Sequence, residues 1–120
     1  MSKEKTSIQV AENRKARFEY EIIESFEAGI VLSGSEVKSL RAGKANIADA
    51  HANAMEGAIW LFNAHIAEYP QAGKRGHLPT QPRKLLLHAK EIKRLIGMTK
   101  EKGLTLIALS LYFNSRGIAK

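Results

Sequence analysis

The chain has 120 residues, 19 Lys and Arg against 12 Asp and Glu, a formal charge of +7 and no cysteine. That length fits one domain with one core, and the lack of thiols excludes a disulfide framework and a thiolate metal site. The first thirteen residues carry lysines but no apolar stretch, so they do not read as a secretory signal, and no apolar run approaches the roughly 18 residues that cross a bilayer.

The hydrophobic share of 44% and charged share of 26% are those of a globular protein. An isoelectric point near 9.8 points to nucleic acid or another anionic surface. Solubility alone is the plainer explanation of such an excess.

Met1 to Glu12 is polar and aperiodic, and is expected to be a flexible tail. Asn13-Arg14-Lys15-Ala16-Arg17 follows as a basic patch that can lie along a phosphate backbone. Phe18 to Ile22 alternates apolar and acidic residues, which predicts a half-buried strand. Glu19, Glu21, Glu24 and Glu27 cluster there. They read as a solvated strand face rather than a catalytic carboxylate pair.

Ala28 to Leu32 reads as a second strand. Glu36 to Ala42 then predicts a short helix: Val37 and Leu40 share one face, Lys38 and Arg41 another. Gly43 stops it, and Lys44 and Asn46 come at once. The stretch is an apolar anchor carrying a small basic-polar comb suited to an anionic partner.

Ala48 to Ala54 alternates alanine with polar residues as a strand, and Glu56-Gly57 is a hairpin turn. Ala58 to Ile66 holds the single tryptophan and predicts a central strand buried on both faces. Tyr69 to Pro82 contains all three prolines and is a loop. Its Lys74, Arg75 and His77 form either a solvated basic segment or a finger on a phosphate backbone.

Arg83 to Leu87 enters a short strand. His88 to Lys102 predicts the one long helix, with Ile92, Leu95, Ile96 and Thr99 as its packing stripe. Leu104 to Phe113 is a strand, Asn114 to Gly117 a hairpin turn, and Ile118 to Lys120 the start of a last strand. The expected fold is mainly β: a closed or nearly closed antiparallel barrel of about six strands, with one short and one long helix packed on it. Domain boundaries are expected at a tail, residues 1–12, and a barrel, residues 13–120.

Chemistry for catalysis is missing. His51, His65, His77 and His88 have no ligand spacing. There is no phosphate-loop or dinucleotide glycine pattern and no nucleophile elbow. No enzyme activity, metal or cofactor is expected.

The strings ENRKARFEYEIIESFEAGIVLSGSEVKSLRAGKANIADA, RKLLLHAKEIKRLIG and KGLTLIALSLYFN closely resemble the bacterial small protein B family of SsrA-binding (tmRNA-binding) proteins, from about Asn13 to Lys120. The resemblance implies an oligonucleotide-binding-type barrel in the cytoplasm. It implies an adaptor that binds the elbow of the tRNA-like domain of tmRNA, formed by the D-loop, and delivers it to stalled ribosomes for trans-translation. Partners would be tmRNA and the ribosome, with no membrane, and the chain is expected to be a monomer. A ribosome-associated protein touching rRNA without tRNA-like selectivity is the alternative.

By the same resemblance, Asn13, Glu27 and Leu86 matter for RNA binding, and Arg14, Lys15, Arg17, Lys38, Arg41, Lys44, Arg83 and Lys84 fit phosphate contacts. An amide at Asn13 can read a base edge or a 2′-hydroxyl. Glu27 repels phosphate, so it would accept from base or sugar donors or orient a basic neighbour. Leu86 would touch an unstacked base if it faces outward, and be plain core if not. The whole set is expected on one cationic side. Family members continue beyond the equivalent of Lys120 with a basic tail bearing a G-K-K motif. The expectation for these 120 residues is therefore tmRNA binding without tail-dependent steps on the ribosome.

Overall fold

The computed structural model describes residues 8–69, 76–101, 103–114 and 116–120. Its first element corrects the expected tail over its last five residues: Ile8–Glu12 is a strand, β1, paired antiparallel with β9, Ser110–Phe113, while residues 1–7 of that tail lie outside the described ones. The pairing places Gln9 opposite Tyr112 and slips by a bulge before Ala11. A bulge twists and bends its strand, and here it precedes the first helix directly.

That helix, α1, Arg14–Glu19, takes the first two residues of the strand expected over Phe18 to Ile22. Asn13 is the reason. Its side chain caps the helix by accepting from the Ala16 N–H at 3.1 Å, and Arg, Lys and Ala then favour helix over strand. Residues 21–28 are irregular rather than strand. The alternation in Phe18 to Ile22 therefore marks no sheet face: Phe18, Tyr20, Ile22 and Ile23 are all exposed.

A short strand β2, Gly29–Ile30, leads to α2, Gly34–Arg41. The start of α2 is fixed by a capping box. The Ser33 hydroxyl accepts from the Glu36 N–H, and a Glu36 carboxylate oxygen accepts from the Ser33 N–H at 2.8 Å. Strand β3, Ala45–Asn46, pairs with β6, His65–Ile66.

Strands β4, His51–Met55, and β5, Ala58–Phe62, form a hairpin. Its turn residues Glu56 and Gly57 have φ of 52° and 76°, the left-handed pair that matches the twist of the flanking strands. The single strand expected over 58–66 is broken at Asn63, φ 60°, a conformation asparagine tolerates better than most. Strand β7, Arg83–Leu86, is followed by α3, Ala89–Glu101, and β8, Leu106–Ile107. The expected strand over 104–113 is thus two strands, β8 and β9.

Five strands make one curled antiparallel half-barrel in the order β2-β7-β5-β4-β8, with β5 central as its apolar run requires. The β1-β9 and β3-β6 pairs complete the mainly β architecture. In place of about six strands and two helices, nine short strands and three helices occur among the described residues.

Leu40 of α2, Ile47, Leu61, Ile66, Leu111 and Phe113 pack as one core. Each such side chain contributes roughly 1.5–3 kcal/mol when fully buried. In α3 the expected stripe holds: Leu95 is buried, and Ile92, Ile96 and Thr99 are half-buried.

Candidate nucleic-acid interface

The basic residues divide by burial. Arg14, Lys15, Arg17, Lys38, Arg41, Lys44 and Lys84 are exposed. On α1, Glu12 approaches Arg14 at 3.4 Å and Arg17 at 3.8 Å, while both side chains stay largely in solvent. On α2, the Lys38 ammonium lies 5.4 Å from the Tyr69 ring centre and the Arg41 guanidinium 4.6 Å from that of Phe113. These rings hold the cations without neutralising them. Asn46 is exposed, with its Oδ1 accepting from the Ala48 N–H at 2.8 Å. Lys74 and Arg75 lie outside the described residues.

Arg83 corrects the expected phosphate contact. It is 2% exposed, and its guanidinium is consumed inside the molecule. Its Nε donates to Glu36 Oε2, Nη1 to the Ala64 carbonyl at 2.8 Å and Nη2 to the Pro79 carbonyl at 3.0 Å. Gln81 Nε2 adds a bond to the same Glu36 oxygen at 3.1 Å. Burial pushes the Glu36 carboxyl up, but the Ser33 N–H and the Arg83 guanidinium outweigh it and hold the group below its ordinary 4.5.

His77 is likewise no part of a basic finger. It is buried, with Nε2 donating to the Ile66 carbonyl and Nδ1 facing the Ser35 hydroxyl, each at 2.9 Å. A carbonyl can only accept, so Nε2 carries a proton.

Asn13 corrects the expected base reader. It is 3% exposed, and its amide nitrogen donates to the Ala108 carbonyl at 2.9 Å and the Ile47 carbonyl at 3.2 Å. With the oxygen spent on the helix cap, both ends of the amide are in use. Asn13 ties α1 to the residues that directly follow β3 and β8 and so sets where Arg14 to Phe18 stand.

Glu27 is exposed and accepts a hydrogen bond from the Tyr112 hydroxyl. Its neighbour Glu24 pairs with Arg94 of α3 at 2.7 Å. Leu86 is 53% exposed and lies opposite Gly29 across the β2-β7 pair. A methyl group on Gly29 would come within 3.1 Å of Leu86 Cβ, so the glycine two residues after Glu27 leaves room for Leu86 across the pair. Side chains alternate along a strand: Arg83 and Leu85 turn inward, Lys84 and Leu86 outward.

The same alternation on β9 divides the site. Tyr112 and Phe113 are adjacent and turn to opposite faces; Tyr112 holds Glu27, and Phe113 carries Arg41. The single cationic side expected from sequence is therefore split, with Glu27 on one side of β9 and Arg41 on the other. Sequence reasoning missed Tyr112, Ser35 and the inward role of Glu36. The Ser33-x-x-Glu36 spacing signalled the cap, but nothing local announced a partner 47 residues away at Arg83.

Comparison with known proteins gives this geometry a context. A family model described as SmpB protein matches residues 10–120. An SsrA-binding protein of Wolbachia pipientis subsp. Culex pipiens (strain wPip) is 60% identical over 111 residues, covering 92% of this chain and 74% of that one. An SsrA-binding protein of Bradyrhizobium sp. (strain BTAi1 / ATCC BAA-1182) is 57% identical, covering 92% of this chain and 70% of its own length. A solved chain described as "tmRNA-SmpB: a journey to the center of the bacterial ribosome" superposes with a TM-score of 0.73 at 50% identity, covering 90% of this chain and 76% of that one. With a match that runs through every element from β1 to β9, the chain belongs to the SmpB protein family.

Proposed function

We propose that this chain is an RNA-binding adaptor that recognises the tRNA-like domain of tmRNA at its D-loop elbow and delivers it to stalled ribosomes for trans-translation. It acts in the cytoplasm, by recognition rather than catalysis. The observation that carries this reading is the 60% identity to an SsrA-binding protein across 92% of the chain.

The exposed cations Arg14, Lys15, Arg17, Lys38, Arg41, Lys44 and Lys84 supply the phosphate contacts. Phosphate contacts set position and carry no sequence information. Selectivity comes from the groups that are not cations. The carboxylate of Glu27, oriented by Tyr112, keeps lone pairs for base or sugar donors. Leu86 offers an apolar surface to an unstacked base. Asn46 is a further polar contact, while Asn13 and Arg83 act through the scaffold.

Competition binding tests the proposal. The tRNA-like domain of tmRNA should displace a labelled copy of itself far better than a duplex of equal length does. With about five phosphates neutralised, affinity should fall with salt at a log–log slope of about −3.5 to −4.5. Equal competition by the duplex would leave only an rRNA-contacting protein without tRNA-like selectivity. Any RNA product on incubation would contradict recognition without catalysis.

A further inference from the structure

Phe18 is 91% exposed, more than any other large hydrophobic residue among those described. It is not a stray core residue, because α1 buries its other side through Ala16 and the cap Asn13. Phe18 stands four residues after Arg14 and next to Arg17, so the three share one outward face of α1. Glu12 reaches both arginines, at 3.4 and 3.8 Å, and so fixes them on this face. Arg14 keeps 85% of its side chain in solvent and Arg17 52%.

The opposite flank of α1 is different. A cleft of about 350 Å³ opens there, lined by Lys15, Glu19, Tyr20, Asp49, His51 and Thr105. Two carboxylates on that rim disfavour a phosphate backbone. The Arg14–Arg17 face sets two cations against the one carboxylate of Glu12, whereas the cleft sets Lys15 against Glu19 and Asp49, so the Arg14–Arg17 face is the more favourable track for phosphates, and the exposed ring lies on it.

We propose that Phe18 is a stacking platform for an unstacked nucleobase of the bound RNA. An aromatic ring flanked by guanidinium groups suits a flipped or looped-out base: the ring takes the π-face and the arginines take the flanking phosphates. The inference rests on the RNA-binding reading above and adds a residue to it.

The test uses the full 120-residue chain and a fluorescein-labelled tRNA-like domain of tmRNA, read by anisotropy. Phe18→Ala should bind about tenfold more weakly. Phe18→Trp and Phe18→Tyr should stay within about twofold of the parent, and Phe18→Leu should fall close to Phe18→Ala, because stacking needs a π-face. The salt slope of Phe18→Ala should match the parent, whereas Arg14→Ala should flatten it by about 0.7–0.9. Thermal melts of all these variants should coincide, since the ring is in solvent. Parent-like binding by Phe18→Ala or Phe18→Leu overturns the platform while leaving the adaptor reading intact, as does a loss confined to association with a protein. Failure of the parent chain to prefer the tRNA-like domain overturns the adaptor reading itself.

Discussion

Glu36 and Glu27 sit nine positions apart and do opposite work. Glu36 is 1% exposed, caps α2 and pairs with the buried Arg83. Glu27 is exposed and leans on one hydroxyl, that of Tyr112. The first carboxylate organises the molecule, and the second is held out for something else to use. The lesson concerns Arg83 above all: a basic residue in a basic motif of a cationic protein is a phosphate ligand only if the fold leaves it in water.

Breaking the buried side should give the largest effect. Glu36→Ala and Arg83→Ala should each destabilise the fold by about 3–5 kcal/mol, because each strands an unpaired buried charge. Denaturant titration measures this. The double replacement Glu36→Leu with Arg83→Met should recover most of the loss; recovery of none would mean that the pair matters for the cap and carbonyl bonds more than for charge balance.

Acid should find the same region. The Glu36 carboxyl is held below its ordinary 4.5, so its contribution is present above that pH and is lost as pH falls through the lower folded value. Parent stability should therefore drop below about pH 4.5 more steeply than that of Glu36→Gln, which has no proton to gain there. Parallel curves would remove Glu36 from the acid limb.

Asn13→Ala should cost about 1–2 kcal/mol, through the lost cap and the Ala108 carbonyl left without its side-chain donor, while the Ile47 carbonyl keeps the Ala50 N–H. Its weakened RNA binding should track that loss and recover on cooling or in osmolyte. A binding defect at full stability would instead restore a direct contact for Asn13.

Glu27→Ala should change stability by less than about 0.5 kcal/mol, as surface substitutions do. It should nonetheless weaken RNA binding, although it makes the surface more positive. Attraction by net charge alone requires the opposite sign, so tighter binding would remove Glu27 from the recognition set.

Much of the architecture was legible in order along the chain. The stripe of α3, the Glu56-Gly57 turn, the short basic helix α2 and the central apolar strand follow from local periodicity and turn chemistry. The strings around FEAG, GSEVKSL and RKLLL carried the family. The failures were also local in origin: Phe18 to Ile22 alternates like a strand, yet the helix capped by Asn13 takes in Phe18 and Glu19, and residues 21–28 are irregular.

Composition and charge by themselves determined a single basic domain suited to an anionic partner, and the motif strings determined its kinship. Only the tertiary structure decided which motif residues face water. Burial of Asn13 and Arg83, and the separation of Glu27 from Arg41 across β9, depend above all on the Asn13–Ala108, Arg83–Glu36 and Tyr112–Glu27 bonds, whose partners stand 95, 47 and 85 positions apart. No local pattern encodes such distances, because hydrogen bonds of this kind exist only once the sheet has brought its strands together.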